Sequence, residues 1–301
     1  MSEERPREKV SRRDMFGRLG LSRIRERFDE EMPDALAAQA QEAGARSSEP
    51  AWGAWDVSPP EGSEKFTRAA AARLVDACGV KEGERVLDWG CGQGEVALAA
   101  ARLGAHVTAV DLAPAPLERG WDLAEADGLE VDWLEQDGLD LMLGNAWFDR
   151  SLSGFGVIWS RDMPAAVREL FRVTRPGGAV GFTTWSNRGF YGEFLRVVRE
   201  RDLLPPGPSP SAWGWDQGLQ QDFQPLAATL EVQTRELDLQ IEDDDALWDF
   251  VAQSAAPAAR RLADMPGADR EDVEDEVRAL VADSGATPAR YLEVVAEVPA
   301  V

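Results

Sequence analysis

The residues of this 301-residue chain best placed for chemistry lie between Arg85 and Asp111. In RVLDWGCGQGE (85–95) a short apolar run ends in an acid, Asp88, and is followed by Gly90, Gly92 and Gly94 on alternate positions. A second run, VTAVD (107–111), ends in Asp111. This is the pattern of a strand turning tightly into a helix, where a glycine turn lets a ligand lie against the main chain at the helix N-terminus. A dinucleotide fingerprint needs GxGxxG. Its third glycine would fall on Glu95, a carboxylate poorly suited to a pyrophosphate. Asp88, Glu95 and Asp111 suit a ligand that brings positive charge and hydrogen-bond donors.

The stretch Val86 through Gly94 resembles, without a break, the first motif (V/I)LDxGCGxG of the class I S-adenosylmethionine (SAM)-dependent methyltransferases. The resemblance implies SAM as cofactor and S-adenosylhomocysteine as product. It implies that the turn of Gly90, Cys91, Gly92 and Gly94 wraps the methionine part, that Asp88 holds the ammonium group, and that Asp111, with Leu112 beside it, takes the ribose hydroxyls. It also puts Asp137 on the adenine amino group, with Gly138 and the apolar Leu139 next to it, and adds Ser153. A turn aspartate before glycine is the competing reading of Asp137. SAM carries a sulfonium and an ammonium but no phosphate, in keeping with an acidic pocket.

The elements that must position these residues follow from periodicity. Helical spacing covers Glu64 to Cys78, and a βα alternation continues through a helix at 94–103, a strand at 107–110, a helix at about 116–126 and a strand at 131–134. A fourth strand runs from Phe148 into a loop at Gly156, and a helix follows at 163–173. RPGG (175–178) reads as a chain reversal, with Pro176 ending that helix, and a strand follows at 179–185. Further strands at 230–241 and 290–298 form an antiparallel edge pair. Helices are expected near 190–201, 246–253 and 270–281. The fold class is α/β. The resemblance implies a Rossmann-like seven-stranded sheet in the order 3-2-1-4-5-7-6, last strand antiparallel, within a domain of residues 61–301. Helical cap insertions fall at about 186–229 and 242–288. Residues 1–60 form an N-terminal extension, with a basic arm and a lid around Trp52 and Trp55.

A sulfonium already activates the methyl group, so alignment of the acceptor and removal of a proton remain for the protein. Tyr191, Glu193 and Asp162 follow strand ends and are the candidate bases; packing and helix-start roles compete for each. Phe155, Trp159, Trp185 and Trp213 give an aromatic lining suited to a flat or apolar acceptor. Two cysteines, Cys78 and Cys91, and a single histidine, His106, make a disulfide framework, a metal site and a histidine triad unsupported readings.

A net charge of -23 opposes nucleic acid as a partner and favours a small-molecule substrate. No apolar run approaches the ~20 residues of a membrane span. SRRDMF (11–16) is similar to a twin-arginine signal but lacks the apolar stretch that should follow, which gives a cytoplasmic expectation. Residues 1–28 carry nine basic residues against five acids, with a short amphipathic helix that could serve a homodimer or a protein partner. A SAM-fold subunit that binds or activates a partner without transferring methyl groups, and a nicotinamide oxidoreductase, remain alternatives.

Overall fold

The computed structural model describes residues 55–205, 207–239, 241–284 and 288–300. The basic arm with its expected helix, and Trp52, lie outside the described residues.

Strands β1 (Arg85–Trp89) and β2 (His106–Asp111) are short apolar runs buried on both faces, as parallel strands covered by helices must be. They join β3 (Val131–Glu135), β4 (Phe148–Gly154), β5 (Thr174–Trp185), β6 (Thr229–Leu237) and β7 (Ala289–Glu297) in one sheet of order β3-β2-β1-β4-β5-β7-β6. Neighbours from β3 to β5 pair in parallel, whereas β7 runs antiparallel to both β5 and β6. The expected order and the reversed last strand are therefore observed.

Alternation along each strand feeds two helix layers. Val86, Val107 and Trp133 pack with helices α1 (Arg68–Ala77), α2 (Glu95–Arg102) and α3 (Pro114–Asp127). Leu87, Trp89 and Phe182 face the opposite core with α4 (Met163–Val173) and α5 (Phe190–Glu200). The same core takes in α6 (Asp216–Phe223), α7 (Asp244–Ser254), α8 (Ala256–Ala263) and α9 (Gly267–Ser284). Local chemistry sets several helix ends. Asp162 caps α4 by accepting from the Ala165 amide at 2.9 Å, Asp243 caps α7 through Ala246 at 2.8 Å, and α3 stops at left-handed Gly128.

RPGG departs from expectation. Helix α4 has ended at Val173 before Pro176 is reached, and the four residues lie inside β5. Thr174 pairs with Phe148 and Ala179 with Arg150, so residues 175–178 are an irregularity in the β4–β5 ladder rather than a reversal. Arg175 clips it to Asp149 with a 2.6 Å ion pair, and Gly177 donates to the Val298 carbonyl. Helices α6 and α8 had no counterpart in the sequence reading. The polar α6 segment DQGLQQDF turns Leu219 and Phe223, four residues apart, into the core.

The sheet leaves no room at Gly181 of β5. A Cβ there would lie 2.2 Å from Cys78 Sγ and 3.1–3.2 Å from Leu152 and Leu74. Gly181→Ala should therefore cost about 1–3 kcal/mol of unfolding free energy through overpacking. Adding Cys78→Ala, which removes the colliding sulfur, should recover part of that loss. A denaturant double-mutant cycle checks this, and simple additivity of the two losses would show that Cys78 is not the obstacle.

Candidate cofactor and transfer site

The three glycines do different jobs. Gly94, at φ +83°, opens α2, and a Cβ there would stand 2.4 Å from the Trp133 ring, so it is fixed by internal packing as well as by its backbone. Gly90 lies against Gly156 of the β4 loop; a Cβ on Gly156 would meet the Gly90 carbonyl at 2.2 Å. Only Gly92, at φ +56°, faces open space, and it is the member of the turn that leaves main chain accessible to a ligand.

The turn is tied to both neighbouring strands. Asp111 accepts from the Gly92 amide at 2.8 Å through Oδ2 and from the Ala113 amide at 2.9 Å through Oδ1. The carboxylate keeps acceptor capacity beyond these two bonds. Ser153 donates to the Trp89 carbonyl at 2.7 Å and accepts from the Val157 amide at 2.9 Å, which braces the ends of β1 and β4. Asp88 is 1% exposed; its Oδ2 accepts from the Ala97 amide at 2.9 Å, while Oδ1 is buried with no donor. Burial raises this carboxyl well above the usual aspartate range, and burial also raises Glu95 and Asp111. Asp88 and Glu95 line a small cavity with Thr67, Ala71, Cys91, Val96, Gly154 and Phe155.

Phe155 holds a left-handed backbone, φ +59°, unusual for so large a side chain. Its amide donates to Thr183 Oγ1 at 3.0 Å, and its ring stacks on Trp185 with centroids 4.1 Å apart. Trp185 stacks in turn on Tyr191 at 4.3 Å. The segment before the domain also reaches these strand ends: Asp56 accepts from the Ala115 amide in the first turn of α3 at 2.9 Å, and Trp55 packs edge-on against Trp159 at 4.7 Å.

Other residues singled out from the sequence take different places. The four aromatics do not form one lining. Phe155 and Trp185 stack together and Trp159 pairs with Trp55, but Trp213 is buried with Phe182 and Phe223, its indole donating to Asp222. Tyr191 is fully packed, donates to the Ser254 carbonyl at 3.0 Å, and has its phenol pushed above the usual range by burial, all of which oppose a role as base. Glu193 is exposed and paired with Arg196, and Asp162 is the α4 cap, so none of the three lies in the cavity wall. Asp137 takes the turn role: Oδ1 accepts from the Leu139 amide, and both oxygens also take the Arg161 guanidinium, at 3.2 and 2.6 Å. Gly138 is required by Trp89, whose ring a Cβ would meet at 2.3 Å and whose indole donates to the Gly138 carbonyl at 2.7 Å. Sequence reasoning missed Gln93, Thr67 and Gln253, which all donate to Glu95 Oε1.

Residues 86–178 match the family model described as a methyltransferase domain. An uncharacterised protein of Mycobacterium tuberculosis (strain H37Rv) is 40% identical over 141 residues, which is 46% of this chain and 52% of the relative. A malonyl-[acyl-carrier protein] O-methyltransferase of Serratia marcescens is 38% identical over 117 residues, 39% of this chain and 44% of that one. The chain thus spans about half the length of the curated relatives it matches. Among solved structures, a Haemonchus contortus phosphoethanolamine N-methyltransferase, in complex with phosphomonomethylethanolamine and S-adenosylhomocysteine, is similar in fold. It is 18% identical with a TM-score of 0.51, covering 77% of this chain and 53% of that one. No helix among the described residues is long and apolar enough to cross a membrane.

Asp88→Asn should separate stability from binding. The folded carboxyl binds its proton more tightly than the unfolded one, so its contribution to stability is greatest below the ordinary aspartate pKa and is lost as pH rises through the raised folded value. At neutral pH the unliganded Asn variant should therefore melt above the parent, with the gap closing on acidification towards about pH 4. The same variant should bind S-adenosylhomocysteine at least ~10-fold more weakly, as expected for a lost charge-assisted hydrogen bond. Melting curves across pH and titration calorimetry read the two effects; an Asn variant less stable than the parent at pH 7 would refute the electrostatic account.

Proposed function

We propose that this chain, which carries a class I SAM-dependent methyltransferase domain, uses it to transfer a methyl group to a small, flat or apolar acceptor. The observation that carries the reading is the unpaired Asp88 Oδ1 in the cavity behind the glycine turn. A buried acceptor without a donor is costly, and an ammonium group is its complement. The donor set fits SAM in other respects: Asp111 has lone pairs left for the ribose hydroxyls, Gly92 has an open face, and Asp137 stands at the β3 exit, where the adenine amino group is expected. Arg161 must share Asp137 with that group.

Bound there, SAM supplies a methyl carbon already activated by its sulfonium. The protein's part is then to hold and to shield. Asp88 and Asp111 fix the two ends of the methionine and ribose portion. Phe155, strained into the cavity wall and backed by Trp185, offers an aromatic face to the acceptor. Trp55 and Asp56 draw the chain entering the domain across the ends of β4 and β2, where a cover would exclude water. With the candidate bases occupied elsewhere, alignment carries most of the rate, an effect worth up to roughly 7–11 kcal/mol. The Serratia relative acts on a malonyl group held by a carrier protein, so carrier-bound carboxylates belong beside phenols and quinols among acceptors to be tried.

Titration calorimetry with SAM and S-adenosylhomocysteine, followed by mass analysis of acceptors incubated with protein and SAM, tests the reading. Both cofactor forms should bind, and one acceptor class should gain a methyl group. Asp111→Asn, which keeps one carboxamide oxygen for the turn, should weaken SAM by ~10–100-fold without unfolding the protein. A folded parent that binds neither form would sink the proposal, and an Asn variant that binds like the parent would sink the ribose assignment.

A further inference from the structure

The cap insertion between β6 and β7 reaches the glycine turn through one side chain. Helix α7 docks on the segment preceding β1, with the Phe250 ring against Phe66 at 5.5 Å. Gln253, three residues on and so on the same face, points into a polar knot. Its Nε2 donates to Glu95 Oε1 and to Thr67 Oγ1, each at 3.0 Å. Gln93 mirrors it from the turn, with Nε2 donating to Glu95 Oε1 at 3.1 Å and to Ser63 Oγ at 3.2 Å.

The donors of the knot are spent on Glu95, Thr67 and Ser63, and acceptors are left over. Gln93 Oε1, Gln253 Oε1 and Asp88 Oδ1 are all buried without a donor; Gln93 is 2% exposed and Asp88 1%. Asp88 and Glu95 line the cavity, and both amide groups join it through Glu95 Oε1, each keeping an unpaired oxygen beside that carboxylate. A group that brings three N–H donors and a positive charge is the chemical complement of that set. A latch would be served equally by a side chain at 253 that only donates, whereas Gln253 also brings an unpaired acceptor to the knot.

Resting on the reading of the domain as SAM-binding, we propose that Gln253 of the cap is a cofactor-binding residue. With Asp88, Gln93 and Glu95 it forms the ring of acceptors for the ammonium of the SAM methionine, so that the cap senses the amino-acid end of the cofactor.

The test compares S-adenosylhomocysteine with 5′-methylthioadenosine, which shares the adenosine and sulfur but has no amino-acid end. Dissociation constants are measured by calorimetry for the parent, Gln253→Leu and Gln253→Asn; the Asn variant keeps the amide but shortens its reach, and it carries the comparison if the Leu variant does not fold by circular dichroism. Both variants should lose at least ~10-fold in affinity for S-adenosylhomocysteine and hold 5′-methylthioadenosine within about twofold of the parent. Equal losses for the two ligands would mark Gln253 as a structural latch and overturn the proposal, as would no loss for either. A folded parent that binds methylthioadenosine but not S-adenosylhomocysteine would also overturn it. A folded parent that binds neither would instead overturn the SAM reading on which it rests.

Discussion

Asp88 is held at the carboxyl end of β1 by the Ala97 amide on one oxygen and left without a donor on the other, under the first turn of α2. A buried carboxylate in that state raises the free energy of the empty protein, and the surrounding fold is what keeps it there. Gly94 starts α2 in a left-handed conformation that aims the helix amides at Asp88, and Trp133 from β3 fills the space a side chain at 94 would need. Asp111 pins the Gly92 amide and Ser153 pins the Trp89 carbonyl, so the ends of β2 and β4 clamp the turn from both sides. The sheet order places those strands on either side of β1. Parallel strands thus supply both the core and the frame within which an unfavourable charge is retained.

The glycine motif illustrates how one sequence pattern can serve several constraints. Ligand access alone would need an open main chain at one position, and only Gly92 meets that description. Gly90 and Gly156 are small because two backbones touch, Gly94 because an indole occupies its side-chain space, and Gly138 because another indole, Trp89, lies over it and hydrogen-bonds its carbonyl. Replacing any of these four would disturb the ligand site by way of packing. Binding and stability are difficult to separate at this turn for that reason, and Asp88, where their signs differ, is the position that separates them.

The glycine turn, the acid at each strand end and the strand order were legible because the signals are local: each depends on residues within a few positions, and the resemblance supplied the order in which they assemble. The helix capped by Asp162 keeps the expected bounds, Met163–Val173, whereas the one capped by Asp243 starts at Asp244, two residues ahead of the expected 246. What could not be read depends on contacts across the chain. Gln253 meets Glu95 at a separation of 158 residues and Thr67 at 186, and a polar residue near the end of a helix carries no mark of either. Trp213 looked like a pocket residue from its loop composition, but Phe182 and Phe223 bury it in a different cluster. Tyr191 follows a strand end as a base should. Its ring instead joins the Phe155–Trp185 stack, and its hydroxyl is consumed by the Ser254 carbonyl.

Those distant contacts share a direction. The chain leaves the parallel sheet after β5, builds α5 and α6, adds β6 at the edge, and inserts α7 to α9 before β7 returns between β5 and β6. Because β7 pairs with β5 from Tyr291 to Glu297, the insertion is anchored beside the strand that carries Trp185, and its first helix comes to rest on Phe66 and Thr67 in front of β1. The same front receives Trp55 and Asp56 from the opposite end of the chain. Two segments remote in sequence therefore converge on strand ends whose own residues are fixed by the sheet. In a fold arranged this way Asp88, Asp111 and the glycine turn are set within β1, β2 and their connection, while the insertion and the entering segment close over the strand ends. Gln253 is where the insertion touches the residues beside the turn, and the acceptor-rich knot around Glu95 is the physical form of that contact.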